Sequence, residues 1–348
     1  MKSPESLPEK IDDEMSLEEL MSRPSKRSLE VMSRIEGDLI ILGAGGKIGP
    51  NLAKFARRAA SEVGVDKKVM AVSRFTDPTS RKTLEDSGVT TISCDLLDHE
   101  ALESLPDASN VIYLAGMKFG ASSNQPLTWV TNVYIPALVA TRYRDSRIIV
   151  FSTGNVYPLV YVKSGGAKES LRPDPIGEYS QSCLGRERIF QYFSSRNETK
   201  ILIFRLNYAV ELRYGVLLDV AKKVVEGKPI DLTMGYINLI WQGDVNDAVV
   251  RCLEYCECPP KLLNVTGSDT VSVRWLAERF GELFGRDPIL INSESDVALL
   301  SDSSEYRRIL GGPSVDLETM MRWVVHWISI GGTTLNKPTK FEVRDGRF

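Results

Sequence analysis

The sequence predicts an α/β chain: a doubly wound parallel sheet with a smaller, interleaved C-terminal lobe. Three observations carry that expectation. Apolar runs of strand length recur at 38–42, 68–73, 90–94, 110–115, 147–152 and 201–206, with helix-length segments between most of them. Such βα alternation builds a parallel sheet covered on both faces. A glycine-rich turn follows the first run directly, and past Leu206 the alternation loosens into helices with isolated extended pieces.

In chain order, residues 1–36 are rich in Ser, Glu and Lys and hold two short helix candidates. One opens at Ser16 with Glu19 three residues on, the spacing of a capping box. This stretch reads as an extension packed on, or tethered to, the main body. The run Asp38-Leu39-Ile40-Ile41-Leu42 is a buried strand, and 50–63 is a helix with Leu52, Phe55, Ala56 and Ala59 at helical spacing. Residues 37–206 form the sheet domain, with returns to it from about 237 to 268. Residues 207–330 form most of the smaller lobe, with helices expected at 216–226, 244–255, 272–284 and 316–328 and an extended piece at 237–241. A tail follows at 331–348, and its polar end, 337–348, is expected to wrap the surface.

Composition narrows the chemistry. The 348 residues carry 46 Asp and Glu against 43 Lys and Arg, a net charge of -3, with no convincing basic patch, so no nucleic-acid partner is expected. No apolar stretch approaches the ~18 residues of a membrane span, so no membrane role is expected. Five irregularly spaced cysteines fit a reducing compartment, and the expected location is the cytoplasm. With His99 and His326 as the whole histidine supply, a multi-histidine metal site or a Ser-His-Asp relay is not expected. Cys252, Cys256 and Cys258 lack a clear fourth ligand, so no metal is expected there either.

Directly after the first strand stands Gly43-Ala44-Gly45-Gly46-Lys47-Ile48-Gly49, and then the helix. Glycines at 43, 46 and 49 give a tight turn, close backbone approach to a pyrophosphate and close helix–strand packing, with the helix N-terminus facing the anion. A strand before and a helix after are the context this motif needs. Gly43, Gly45, Gly46, Lys47, Ile48 and Gly49 are therefore read as the dinucleotide-binding turn of a Rossmann-like fold. A Walker loop is excluded, because Ile48 follows Lys47 where that loop needs Ser or Thr. The second strand ends in Ser73-Arg74, where an NAD-selective site offers a carboxylate to the ribose 2′-hydroxyl. A hydroxyl and a guanidinium suit a 2′-phosphate instead, so NADP is favoured over NAD.

Further segments occur in order: Cys94-Asp95-Leu96, Leu114-Ala115-Gly116-Met117-Lys118, Thr131-Asn132-Val133, Ser152-Thr153-Gly154-Asn155-Val156-Tyr157, Trp241-Gln242-Gly243-Asp244-Val245 and Leu263-Asn264-Val265-Thr266-Gly267. Together with the glycine turn, over about residues 38–330, they resemble the extended short-chain dehydrogenase/reductases, and within them the NAD-dependent epimerase/dehydratase family. The resemblance implies that Asp95 and Leu96 contact the adenine and that Ala115 and Gly116 line the cofactor. It also implies a catalytic set of a Ser or Thr, a Tyr and a Lys four residues after the Tyr, which oxidises a sugar carbinol by hydride transfer to the nicotinamide. By motif position the hydroxyl residue is Thr153, and the acid/base is Tyr179 in Gly177-Glu178-Tyr179-Ser180-Gln181-Ser182-Cys183. Lys118, Thr153 and Asn207 are expected toward the substrate, although Asn207 stands one position earlier than the family's Arg-x-x-Asn. A homodimer through a helix pair is implied as well.

The lysine of that set is missing, and Cys183 takes its place, stacked with Tyr179 on one helix face by the four-residue spacing. A free tyrosine ionises near pH ~10, and a neighbouring cation is what brings the phenolate within reach at neutral pH. A neutral thiol supplies no such field. Lys118, Arg186 and Lys163 are candidates to compensate, and Lys118 has the best motif support. Cys183 as a nucleophile lacks a histidine in a recognisable partner motif. The expected function is an NAD(P)-dependent oxidoreductase or epimerase acting on a sugar or nucleotide sugar. The alternative is a protein that keeps the dinucleotide site without catalysis and uses its occupancy to control a partner. A dehydratase ranks last, because Gly154-Asn155 offers no acid beside the hydroxyl residue.

Overall fold

The computed structural model describes residues 7–118, 120–337 and 339–347. Seven strands form the central sheet: β1 (Leu39–Leu42), β2 (Val69–Ser73), β3 (Thr90–Ser93), β4 (Asn110–Tyr113), β5 (Arg147–Thr153), β6 (Ile201–Leu206) and β7 (Lys261–Val265). They lie in the order β7-β6-β5-β4-β1-β2-β3, and every neighbouring pair is parallel. β1 and β4 are buried along their whole length, which is why they read as continuous apolar runs rather than alternating ones. The pleat divides the side chains between two cores. Ile41, Ile112 and Ile149 meet the helices Lys26–Arg34, Gly49–Glu62 and Gln242–Cys252, while Ile40, Val111 and Ile148 meet Ile135–Arg142 and Gly177–Asn197.

The strand order reverses between β1 and β4, because the chain runs outward from β1 to β3 and then returns to the other side of β1. The loops leaving the carboxyl ends of these two strands diverge and open a crevice, which positions the site described below.

Several elements differ in detail from expectation. The first helix runs Glu14–Met21 and is capped by Asp13, whose Oδ1 accepts from Ser16 N at 2.7 Å. A carboxylate is the stronger acceptor and also suits the positive end of the helix, so it wins over the Ser16 hydroxyl. The N-terminal extension is packed rather than loosely tethered: Ile11, Leu17, Leu20 and Met21 enter the core of the smaller lobe, and Val31, Met32 and Ile35 that of the sheet domain. Of the stretch 237–268, only Lys261–Val265 joins the sheet. Tyr236–Ile237 pairs with Val271–Ser272, and Ile240–Trp241 with Ala209–Val210. The tail leaves the surface at Thr339 and Phe341, which are buried, because a phenyl ring gains more inside the lobe core than along a wet face. Among the described residues no helix is long and apolar enough to cross a membrane.

Candidate active site

The glycine turn sits at the mouth of the crevice. Gly43 has φ +89, and a Cβ there would fall 2.5 Å from Ala115 N, so only glycine lets the turn meet the chain leaving β4. A Cβ on Gly49 would collide with the Ala44 backbone, and one on Gly45 with Ser73 Oγ. At Gly46 an added Cβ would meet nothing nearer than Gly43 O at 3.5 Å, and both Gly45 and Gly46 are exposed. The helix Gly49–Glu62 begins with Pro50 in its first turn and no side-chain cap, leaving its N-terminal N–H groups for an anion. Lys47 and Ile48 are half-buried, and Lys47 Nζ stands 3.2 Å from the centre of the Tyr214 ring. This open, uncapped cradle fits a dinucleotide diphosphate.

The remaining expected cofactor residues line the same edge of the sheet. Ser73 is half-buried under Gly45, and Arg74 is exposed. Asp95 is exposed, with Oδ1 accepting from Leu97 N at 3.1 Å, while Leu96 is buried. Ala115 is half-buried and Gly116 exposed.

β5 delivers Thr153 to the crevice, and the following turn folds back so that Asn155 N and Nδ2 donate to Thr153 Oγ1 at 3.2 and 3.0 Å. The helix Gly177–Asn197 places Tyr179 in its first turn, Cys183 one turn on and Arg186 a further turn on. Tyr179 packs with Cys183, and both Thr153 and Cys183 act on its hydroxyl, so the three expected catalytic positions lie in one neighbourhood. Desolvation, and then Cys183, push the Tyr179 hydroxyl well above its ordinary range. The Arg186 guanidinium and the Thr153 hydrogen bond pull the other way. Burial also raises the Cys183 thiol, which keeps it neutral near pH 7.

Of the three candidate cations, Lys163 is exposed on the turn Val162–Ser164. Lys118 Nζ lies 5.9 Å from the Tyr179 ring centre and is pushed down to about 8 by burial, with Lys340 adding to the fall. Arg186 is buried and acts on both Tyr179 and Cys183. Its Nη1 donates to Phe151 O and its Nη2 to Asn132 Oδ1, each at 2.8 Å. Asn132 lies in a π-helical turn, Val130–Tyr134, and also donates to Met117 O (3.0 Å) and Ser182 Oγ (2.9 Å) while accepting from Met117 N (2.8 Å). It thus ties the Gly116–Lys118 loop to the helix that carries Tyr179. Asn132 and Asn155 are site residues that sequence reasoning did not single out. Arg186 had a signal, since positions 179, 183 and 186 share one helical face.

Asn207 is 2% exposed, and its Nδ2 donates to Asn238 Oδ1 at 2.9 Å beneath Gly154, so its amide is engaged inside the smaller lobe. Beside Asn155, Tyr157, Ile176 and Ser180 the C-terminal segment supplies Val343, Arg344 and Gly346, and the cavity left between them is about 20 Å³, room for about one water.

A family model matches residues 39–265, and its description is the NAD-dependent epimerase/dehydratase family. The chain belongs to that family. Its fold is shared with UDP-glucose 4-epimerase of Thermus thermophilus, solved with NAD: TM-score 0.68 and 17% identity over 83% of this chain and 97% of that one. UDP-glucose 4-epimerase of Thermotoga maritima, solved with UDP-glucose, gives 0.68 and 17% over 84% and 98%. UDP-glucuronic acid 4-epimerase of Bacillus cereus, solved with UDP-glucuronic acid and NAD, gives 0.68 and 18% over 84% and 99%. A comparison with curated protein sequences finds no match.

Proposed function

We propose that this family member is a dinucleotide-dependent oxidoreductase or epimerase that acts on a carbinol of a sugar, presented as a nucleotide sugar, by reversible hydride transfer. The observation that carries this reading is the convergence, at one switch point of the sheet, of an exposed glycine turn with Thr153 at the end of β5 and Tyr179 in the first turn of the helix Gly177–Asn197. The ligands of the solved neighbours, UDP-glucose, UDP-glucuronic acid and NAD, support it. When bound, the dinucleotide supplies the hydride acceptor or donor. Gly45, Gly46 and the start of the helix Gly49–Glu62 would hold its diphosphate, and Ser73 with Arg74 makes NADP the favoured form.

Thr153 orients the substrate hydroxyl and Tyr179 carries its proton. Arg186 is a cation that favours the phenolate, and Lys118 stands beside the Tyr179 ring. With burial and Cys183 opposing ionisation, Tyr179 stays protonated near pH 7, so it can donate to a carbonyl but must give up its proton before it can accept one from a carbinol. Two copies pair through the helices that carry Leu127, Val130 and Tyr192, which are exposed.

One observation, the thiol at position 183, favours a second reading: a binding protein that holds the dinucleotide without turnover and signals its occupancy to a partner. Purified protein titrated with NADPH and NADH, then offered UDP-sugars with the oxidised cofactors, separates the two. Saturable binding with turnover of at least one sugar supports the enzyme. Tight binding with no turnover, and no gain from Cys183→Lys, supports the second reading. Binding of neither dinucleotide overturns both.

A further inference from the structure

Residues 339–347 form a strap, beyond the residues the family model matches, that runs from the smaller lobe to the helix carrying Tyr179. Its start is firmly held. Thr339 N and Oγ1 donate to Asp219 Oδ2 at 2.8 and 2.6 Å, and the Phe341 ring is sunk in the lobe core. Farther on the anchors thin out. Arg344 Nη1 donates to Thr233 O at 2.7 Å and Val297 O at 3.1 Å, and its Nη2 donates to Ser295 Oγ at 3.3 Å. Among the described residues the main chain of 344–347 makes no backbone–backbone hydrogen bond, and Asp345 and Arg347 are exposed.

The strap ends in a crossing of two glycines. Gly346 is buried against Gly177, with φ +75 and +81; a Cβ on Gly177 would fall 2.6 Å from Gly346 O, and one on Gly346 would collide with Ile176 O. Only residues without side chains let the two backbones pass so closely. Under this crossing a small cavity remains, with Asn155 and Ser180 on one side, Met234 and Leu299 of the lobe on another, and Val343 and Gly346 of the strap closing it. Asn155 Nδ2 donates to Thr153 Oγ1 and Ser180 follows Tyr179, so the cavity lies beside the expected reacting pair. It measures about 20 Å³, room for about one water, whereas a pocket for a drug-sized ligand spans about 300–1,000 Å³. By that margin a sugar ring and the strap do not fit here together.

We propose that residues 343–347 are a gate: they fill the place beside Thr153 and Tyr179 that the sugar of a nucleotide sugar takes, and they swing out from the Phe341 anchor when it binds. The proposal rests on the nucleotide-sugar reading above. Release gives up the three Arg344 bonds and the packing of Gly346, while Thr339 and Phe341 stay in place, so opening is local and spares the core. The sugar nucleotide binds only the open fraction of molecules, and its apparent affinity is lowered by that fraction.

Calorimetric titrations of the full chain with UDP-glucose, UDP-glucuronic acid and NADPH compare wild type with Gly346→Val, which cannot seat against Ile176, and Arg344→Ala, which loses its three bonds. The expected result is a gain of about fivefold or more in the affinity of Gly346→Val for at least one UDP-sugar, with a gain of the same sign in Arg344→Ala. NADPH affinity should stay unchanged in both, which also shows that the variants are folded. Amide exchange across 342–347 of wild type should quicken when that UDP-sugar is added. If wild type binds a UDP-sugar and Gly346→Val binds it with a smaller gain, equally or more weakly, the gate is overturned and the proposed function stands. If neither wild type nor variant binds either UDP-sugar, the gate and the nucleotide-sugar reading fall together.

Discussion

Cys183 and Arg186 stand three residues apart on one face of the helix Gly177–Asn197 and act on Tyr179 with opposite sign. The adjacent residue, Glu187, faces the other way into a buried network. Arg205 donates to it through Nε at 2.9 Å and Nη2 at 2.6 Å, and Ser152 Oγ at 2.5 Å, while Arg205 Nη1 donates to the Tyr157 hydroxyl at 2.6 Å. Both charges are essentially excluded from water, so removing one strands the other. Glu187→Ala is expected to cost about 3–5 kcal/mol in urea unfolding, and Glu187→Leu/Arg205→Met to recover most of that loss. A cost below about 1 kcal/mol for Glu187→Ala would mean that water reaches the guanidinium. At this scale Thr153, Tyr179 and Cys183 were legible from spacing. Asn132 was not, because its role comes from three partners distant in sequence.

Among the elements, the glycine turn was the most legible, since the strand before it and the helix after it share its line of sequence. The strap was the least, because a single phenylalanine in a polar tail has no period to read. The turn also carries a pH signature. Lys47 is pushed down to about 7 and Lys118 to about 8, so each loses its charge as pH rises through those values. An anion prefers the charged forms, so nucleotide affinity should weaken as pH rises from about 7 to about 8 and beyond. The ligand-free protein should show the opposite slope. Over that window and up to the ordinary lysine value of 10.5 the unfolded chain binds more protons than the folded one, so this pair of residues raises stability with pH. Titrations across that range on wild type and Lys47→Met test both slopes. Equal pH dependence in the two proteins would remove Lys47 from the anion site.

At the scale of the whole molecule, the two terminal segments each pack on more than one part of the fold: Leu17 and Met21 enter the smaller lobe's core and Val31 and Met32 that of the sheet domain, while Phe341 is sunk in the lobe and Gly346 lies against Gly177. Trp323 Nε1 donates to Pro8 O at 2.9 Å and Asn246 Nδ2 to Met21 O at 3.0 Å, both onto backbone carbonyls of the extension. The sheet and its switch point followed from βα alternation, whereas these two braces did not, because short polar segments become structural only through what they touch. The exposed apolar residues Leu127, Trp129, Val130, Tyr134 and Tyr192 are 37–56% exposed on adjoining helices. A face of that kind is expected to pair two copies, seen as a dimer in sedimentation, with Leu127→Glu/Val130→Glu giving a folded monomer. A wild-type monomer at micromolar concentration would contradict the pairing.

The proposed function stands or falls on Tyr179 moving a proton during hydride transfer. Single-turnover kinetics on Tyr179→Phe, following the absorbance of the reduced nicotinamide with a turned-over UDP-sugar, probe that step alone. The expected rate is lowered by about 10²-fold or more, with dinucleotide affinity unchanged. A Tyr179→Phe protein that transfers hydride as fast as wild type would contradict the assignment.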